Sequence, residues 1–286
     1  MQTKVQVNGV ELYYEETGFG TPLVLCHEYA GDMRAWEPQV RHFGRRYRVV
    51  TFNCRGYPPS SVPTDDAGYA HDLLIADLKG LLDTLDITRA HIAGLATGGN
   101  VALGFAIRHP NRVRGLVVAG AGAGTSDRAN WLTGIRKFAD AIAARGTASI
   151  VERIENAPQR LIFKTKDPRG WAEFLQRMRD FSPIGAEKMM RVSLPERPPV
   201  TALAAELRNL FVPILVMAGD QDSPAQESSR FIRDHAPHAG LAIVPMCGHT
   251  LNSEEPDMFN LLVGNFLAAV DAGRWGNWTA ADAPAR

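Results

Sequence analysis

Six short, continuous apolar runs recur along the chain, at 23–26, 47–52, 90–93, 115–119, 214–218 and 241–244. Runs of this length without polar alternation suit strands buried on both faces, as in a parallel sheet. Helical stretches separate most of them. Residues 71–85 place Leu73, Leu74, Ala76, Leu78, Leu81, Leu82 and Leu85 on a one-sided stripe, and 97–108 and 258–270 read the same way. Strand and helix in alternation predict an α/β fold, a mostly parallel sheet with helices on both faces. Upstream, 4–7 and 12–16 alternate apolar and polar residues on either side of Asn8-Gly9. That dipeptide is the strongest short hairpin signal, so the sheet should begin antiparallel.

Between 124 and 205 the alternation lapses. Residues 131–144, 148–156 and 170–180 look helical with no strand run between them. The segment reads as a helical insertion in a core made of 1–123 and 206–286, and the 286 residues are expected to form one folding unit. Pro183, Pro195, Pro198 and Pro199 are read as loops closing the insertion. The tail 271–286 has no clear period and is expected to wrap loosely or fray.

Lys plus Arg and Asp plus Glu both number 31, which offers no electrostatic reason to expect nucleic acid or an anionic membrane as partner. A small, weakly charged molecule fits better. The amino terminus has no apolar signal region and no segment approaches the roughly 20 apolar residues of a membrane span; a soluble, cytoplasmic protein is expected. Cys26, Cys54 and Cys247 are odd in number and far apart. They fit neither a disulfide framework nor paired zinc ligands and read as free thiols, so no metal or cofactor is expected.

The segment Ala90-His91-Ile92-Ala93-Gly94-Leu95-Ala96-Thr97-Gly98-Gly99-Asn100 is a strand turning through small residues straight into a helix. It resembles the nucleophile elbow G-x-S-x-G of the α/β-hydrolase fold superfamily, with Gly94, Ala96 and Gly98 on the defined positions. Two further pieces follow in that family's chain order. Gly219-Asp220-Gln221-Asp222 resembles its acid turn, and Pro245-Met246-Cys247-Gly248-His249 its histidine loop. The resemblance covers nearly all of the chain except the insertion. It implies eight strands with a helical lid after the sixth, and a triad of nucleophile, Asp222 and His249. At the nucleophile position stands Ala96, without a hydroxyl.

The resemblance also extends to His27-Glu28-Tyr29-Ala30-Gly31-Asp32, where the backbone N–H of Tyr29 would build an oxyanion hole with that of Thr97. Glu28 replaces the family's glycine. A carboxylate there opposes developing negative charge unless it points away or binds a substrate group, and Glu28 is carried as a substrate-binding candidate. Asp220 competes with Asp222 as the acid, and Asp127 is an acid position that some family members use. Thr97 and Cys247 adjoin the vital positions but are read as bystanders, and His27 as ordering its turn. Trp131, Phe138, Phe163, Trp171 and Phe174 either line a substrate pocket, with Trp131 the leading candidate, or hold the lid helices together.

Three accounts of Ala96 remain open. The chain is an alanine replacement of a serine hydrolase acting on a small apolar carboxylic ester or lactone, and thereby silenced. Alternatively, alanine is native and the His249 and Asp222 pair works as a general base in a lyase, isomerase or cofactor-free oxygenase. The third account is a small-molecule binding protein without chemistry.

Overall fold

A computed structural model describes residues 3–276. Eight strands form one sheet in the order β1-β2-β4-β3-β5-β6-β7-β8. They are β1 Thr3–Val7, β2 Val10–Thr17, β3 Pro22–Cys26, β4 Arg48–Phe52, β5 Ala90–Leu95, β6 Val113–Ala119, β7 Ile214–Gly219 and β8 Ala239–Val244. β1 and β2 pair antiparallel, as do β2 and β4, and every later pairing is parallel. Asn8 and Gly9 take φ of 44° and 76°, the two positive values that a two-residue hairpin turn needs. All six apolar runs are strands, and the sheet is the one the alternation predicts.

Among the described residues thirteen α-helices accompany it: α1 Glu37–Phe43, α2 His71–Thr84, α3 Thr97–Arg108, α4 Arg128–Arg145, α5 Ala148–Glu155, α6 Pro158–Lys166, α7 Pro168–Arg179, α8 Pro183–Lys188, α9 Leu194–Glu196, α10 Ala204–Arg208, α11 Ser223–His235, α12 Leu251–Glu254 and α13 Pro256–Asp271. Successive strand residues feed opposite faces of the sheet. Leu23 and Leu25 of β3 pack in a core with Trp36, Phe43, Phe259 and Phe266 of the α1 and α13 side, whereas Val24 and Cys26 join Leu74, Val101 and Ile232 of α2, α3 and α11. Helices α4 to α10 all lie between β6 and β7, and no helix among the described residues is long and apolar enough to cross a membrane.

Several local expectations give way. Pro183 is the first residue of α8 and Pro195 lies inside α9, so neither marks a loop. Proline's fixed φ suits the first helical turn, where its missing N–H would be unpaired anyway. Helix α11 escapes a periodicity reading because its buried face, Ala225, Ser228, Ser229 and Ile232, is mostly small and polar. The start of the tail is packed: Trp275 stands edge-on to Phe266 with ring centres 4.7 Å apart, and its Nε1 donates to the His238 carbonyl at 2.9 Å. The remainder of the predicted loose tail, 277–286, lies outside the described residues.

Candidate active site

β5 is buried along its whole length, and the chain leaves it at Ala96 with φ 49° and ψ −109° before α3 begins at Thr97. A non-glycine residue in such a region costs on the order of 1–3 kcal/mol and persists only where its surroundings impose it. Here they do. Ala96 N donates to the Ala119 carbonyl at 2.8 Å, and Asn100 turns both its backbone N and its Nδ2 onto the Ala96 carbonyl, at 3.0 and 2.9 Å. A Cβ at Gly94 would lie 2.2 Å from the Gly98 carbonyl oxygen, and one at Gly98 would lie 2.1 Å from that of Cys26. Strand, helix and the neighbouring β3 therefore pass at distances only hydrogen permits, which leaves Ala96 as the side chain at the apex.

His249 lies between β8 and α12, and Asp222 on the turn from β7 into α11. The parallel pairing of β7 with β8 brings the two turns side by side, and Nδ1 of His249 donates to Oδ2 of Asp222 at 2.5 Å. A carboxylate can only accept, so this bond puts a ring proton on Nδ1, and in the neutral ring the lone pair is then on Nε2. Asp220 makes no contact with the imidazole. It accepts from the Cys247 N–H at 3.2 Å and so ties the acid turn to the histidine loop, and backbone donors hold its carboxyl below the usual range. Asp127 is exposed and caps α4 by accepting from Asn130 N at 3.1 Å.

The histidine loop is clamped by groups that the sequence reading passed over. Glu254 accepts from Gly248 N at 2.7 Å and Thr250 N at 2.9 Å, on either side of His249, while His249 N donates to Gln159 of α6 at 2.9 Å. Burial raises the Glu254 carboxyl above its ordinary value. His27 is neutral and buried: its Nδ1 meets the Glu28 carbonyl at 2.7 Å and its Nε2 accepts from Cys54 N at 3.0 Å, so it orders the loop that carries Glu28 and Tyr29. All three cysteines are free and buried, and burial pushes the Cys247 thiol up.

Ala96, Thr97, Glu28, Tyr29, Trp131, Phe138 and His249 line one cavity of about 570 Å³ between the strand ends and the lid helices. Among the described residues, neither Tyr29 N nor Thr97 N donates to a protein acceptor. Glu28, carried as a substrate-binding candidate, is engaged within the protein. Both its oxygens are engaged by Arg160 of α6, Oε1 by Nη1 at 3.2 Å and Oε2 by Nη2, and Arg160 Nη1 also donates to the Thr250 hydroxyl at 2.9 Å. The pair is buried, and the guanidinium outweighs desolvation enough to keep the Glu28 carboxyl below its ordinary value. Glu28 Oε2 stands 4.0 Å from Nε2 of His249. Of the lid aromatics, Trp131 and Phe138 face the cavity, while Phe163, Trp171 and Phe174 pack on one another at 5.7 and 5.8 Å and hold α6 to α7.

Comparison with known proteins agrees with this architecture. A family model described as alpha/beta hydrolase fold matches residues 21–256. The chain is 30% identical to a 2-hydroxy-6-oxononadienedioate/2-hydroxy-6-oxononatrienedioate hydrolase of Burkholderia vietnamiensis, over 91% of this chain and 92% of that one. It is 25% identical to 3-oxoadipate enol-lactonase 2 of Acinetobacter baylyi, over 83% and 85% of the two chains. Among solved structures, a thermophilic esterase from Thermogutta terrifontis superposes with a TM-score of 0.84 at 24% identity, covering 94% of this chain and 99% of that one. The sheet order, the turn at Ala96 and the match over 21–256 together place the chain in the alpha/beta hydrolase fold family.

Proposed function

We propose that this cavity is a hydrolase site for a small ester or lactone whose covalent nucleophile is a serine at position 96, and that with Ala96 the chain binds substrate without forming an acyl-enzyme. One observation carries the reading: an alanine is held at φ 49° at the apex of the β5–α3 turn, in the cavity that His249 also lines. A protein that only binds has no chemical need for that strain or for a buried carboxylate on the imidazole. The enol-lactonase among the relatives supports the choice of bond.

With serine at 96, the hydroxyl oxygen attacks the carbonyl carbon while its proton passes to Nε2 of His249. Asp222 stabilises the imidazolium. The N–H groups of Tyr29 and Thr97, uncommitted within the protein, hold the oxyanion. His249 returns the proton to the leaving alkoxide, and water, deprotonated by the same nitrogen, then releases the acid. With a methyl group at 96 the first bond cannot form, and loss of a triad nucleophile costs on the order of a millionfold in rate.

The Glu28 carboxylate 4.0 Å from Nε2 favours one second reading, in which alanine is native and His249 exchanges a proton directly with substrate. Intact mass after exposure to a fluorophosphonate separates the two. Labelling of A96S and not of the chain with Ala96 supports acyl transfer; failure of folded A96S to label overturns it. Turnover by the Ala96 chain that H249A abolishes would establish the second reading instead.

A further inference from the structure

The cavity holds a buried cation without a counter-charge. Arg197, between α9 and the short 3-10 turn before α10, is 5% exposed and lines the cavity with Asn100 and Ala96. Its partners are neutral oxygens: Nη1 donates to Asn100 Oδ1 at 3.3 Å and to the Pro198 carbonyl at 3.4 Å, and Nη2 to the Ala123 carbonyl. No carboxylate among the described residues pairs with it. The adjacent Glu196 is turned away, accepting from His71 N at 3.0 Å at the start of α2. Burying a lone charge costs several kcal/mol, and the neighbourhood raises that cost. Arg128 shares the Trp131 ring with Arg197, at 4.7 and 5.4 Å, also lacks a carboxylate, and leaves its buried Nη1 without a partner. Desolvation and Arg128 together push Arg197 down to about 10.

The remaining charges on the cavity do not restore balance. Glu28 is matched by Arg160. Arg153 stands at the rim over Phe138 with no ion pair among the described residues, and the exposed Asp127 is already a helix cap. The wall is therefore net positive.

We infer that the substrate is an anion, carrying a carboxylate that pairs with the Arg197 guanidinium while its reacting carbonyl lies over Ala96. The inference rests on the reading of the cavity as the reaction site and names its substrate class. Asn100 links the two parts of the site: its Nδ2 holds the Ala96 carbonyl and its Oδ1 holds Arg197. A planar guanidinium fork matches a planar carboxylate and would gain the ion pair that Arg197 lacks among the described residues. Whole-chain neutrality, which pointed to a weakly charged molecule, is compatible with such a local excess of charge.

The test is a binding comparison on the chain as it stands, by NMR titration of backbone amides with monomethyl glutarate and with its neutral dimethyl ester. The expected result is about tenfold tighter binding of the monoanion, reduced to near equality in R197Q and partly retained in R197K. Equal or tighter binding of the diester, binding of neither ester, or an undiminished preference in R197Q overturns the inference. The ratio for the unaltered chain decides the matter even if R197Q fails to fold. Failure of A96S to label with fluorophosphonate would remove the acyl-transfer reading and leave this ratio untouched.

Discussion

Ala96 and Glu28 show how single residues carry strain and charge for the site. Ala96 is a small side chain, 9% exposed, yet its φ of 49° is one a side chain resists. A96G should therefore raise stability by about 1 kcal/mol, the relief of strain exceeding the added chain entropy of glycine. Chemical denaturation would show it, and a lower midpoint would mean that the turn is unstrained. Glu28 is bound to Arg160 in a buried pair. E28Q leaves that guanidinium uncompensated and should cost about 3 kcal/mol, whereas E28M combined with R160M should cost less than E28M alone. The same denaturation assay checks both. Neither role is legible in sequence: Glu28 stands out as a departure from the family glycine, but Arg160 lies 132 positions away in a helix with no motif.

At the scale of elements, the β5–α3 turn was readable because its constraint is local. Gly94 and Gly98 are small since backbone atoms pass within 2.2 and 2.1 Å of where a Cβ would sit. G98A should destabilise by about 3 kcal/mol or fail to fold, since the obstacle is the backbone of β3 and not a movable side chain. Soluble yield and thermal melting report this, and a G98A variant melting with the parent would show that α3 can shift. The hairpin at Asn8-Gly9 and the helix 97–108 were equally open to reading. Helices α6, α8 and α11 were not. All three carry proline in the first turn; the buried face of α11 is serine-rich and shows no apolar stripe, and α8, although Ser182 caps it by accepting from Gly185 N, is only six residues long and too short to show a period.

For the whole molecule, acid is the informative variable. Burial, helped by Arg197, lowers His71 to about 4 from an ordinary 6.5, so the folded protein keeps it neutral. As pH falls through that window the unfolded chain takes up a proton that the folded chain refuses, and stability declines; above 6.5 the group contributes nothing further. Between pH 7 and 5 the loss attributable to His71 is about 2 kcal/mol, and H71Q should flatten the curve by that amount. An unchanged pH profile in H71Q would mean that the imidazole is not shielded from water. Glu28 acts lower down. Its carboxyl is held below its ordinary value, so its stabilisation is present above about 4.5 and is lost as pH drops through the depressed folded value.

Sequence by itself determined the architecture and the places where chemistry could sit. A buried strand needs a continuous apolar run, a sharp strand-to-helix turn needs small residues, and a two-residue hairpin needs positive φ. Each is a requirement on neighbours in the chain, so neighbours in the chain reveal it. Only the tertiary structure decided the contacts of those places. Asp222 rather than Asp220 meets His249, Glu28 is claimed by a lid arginine, and Arg197 is buried beside Asn100 with no carboxylate. Polar contacts across 27, 132 or 97 positions depend on how the lid packs over the strand ends. Residue types along a chain do not encode distances between segments, and it is those distances, through desolvation and Coulomb attraction, that make a charge either satisfied or available to a ligand.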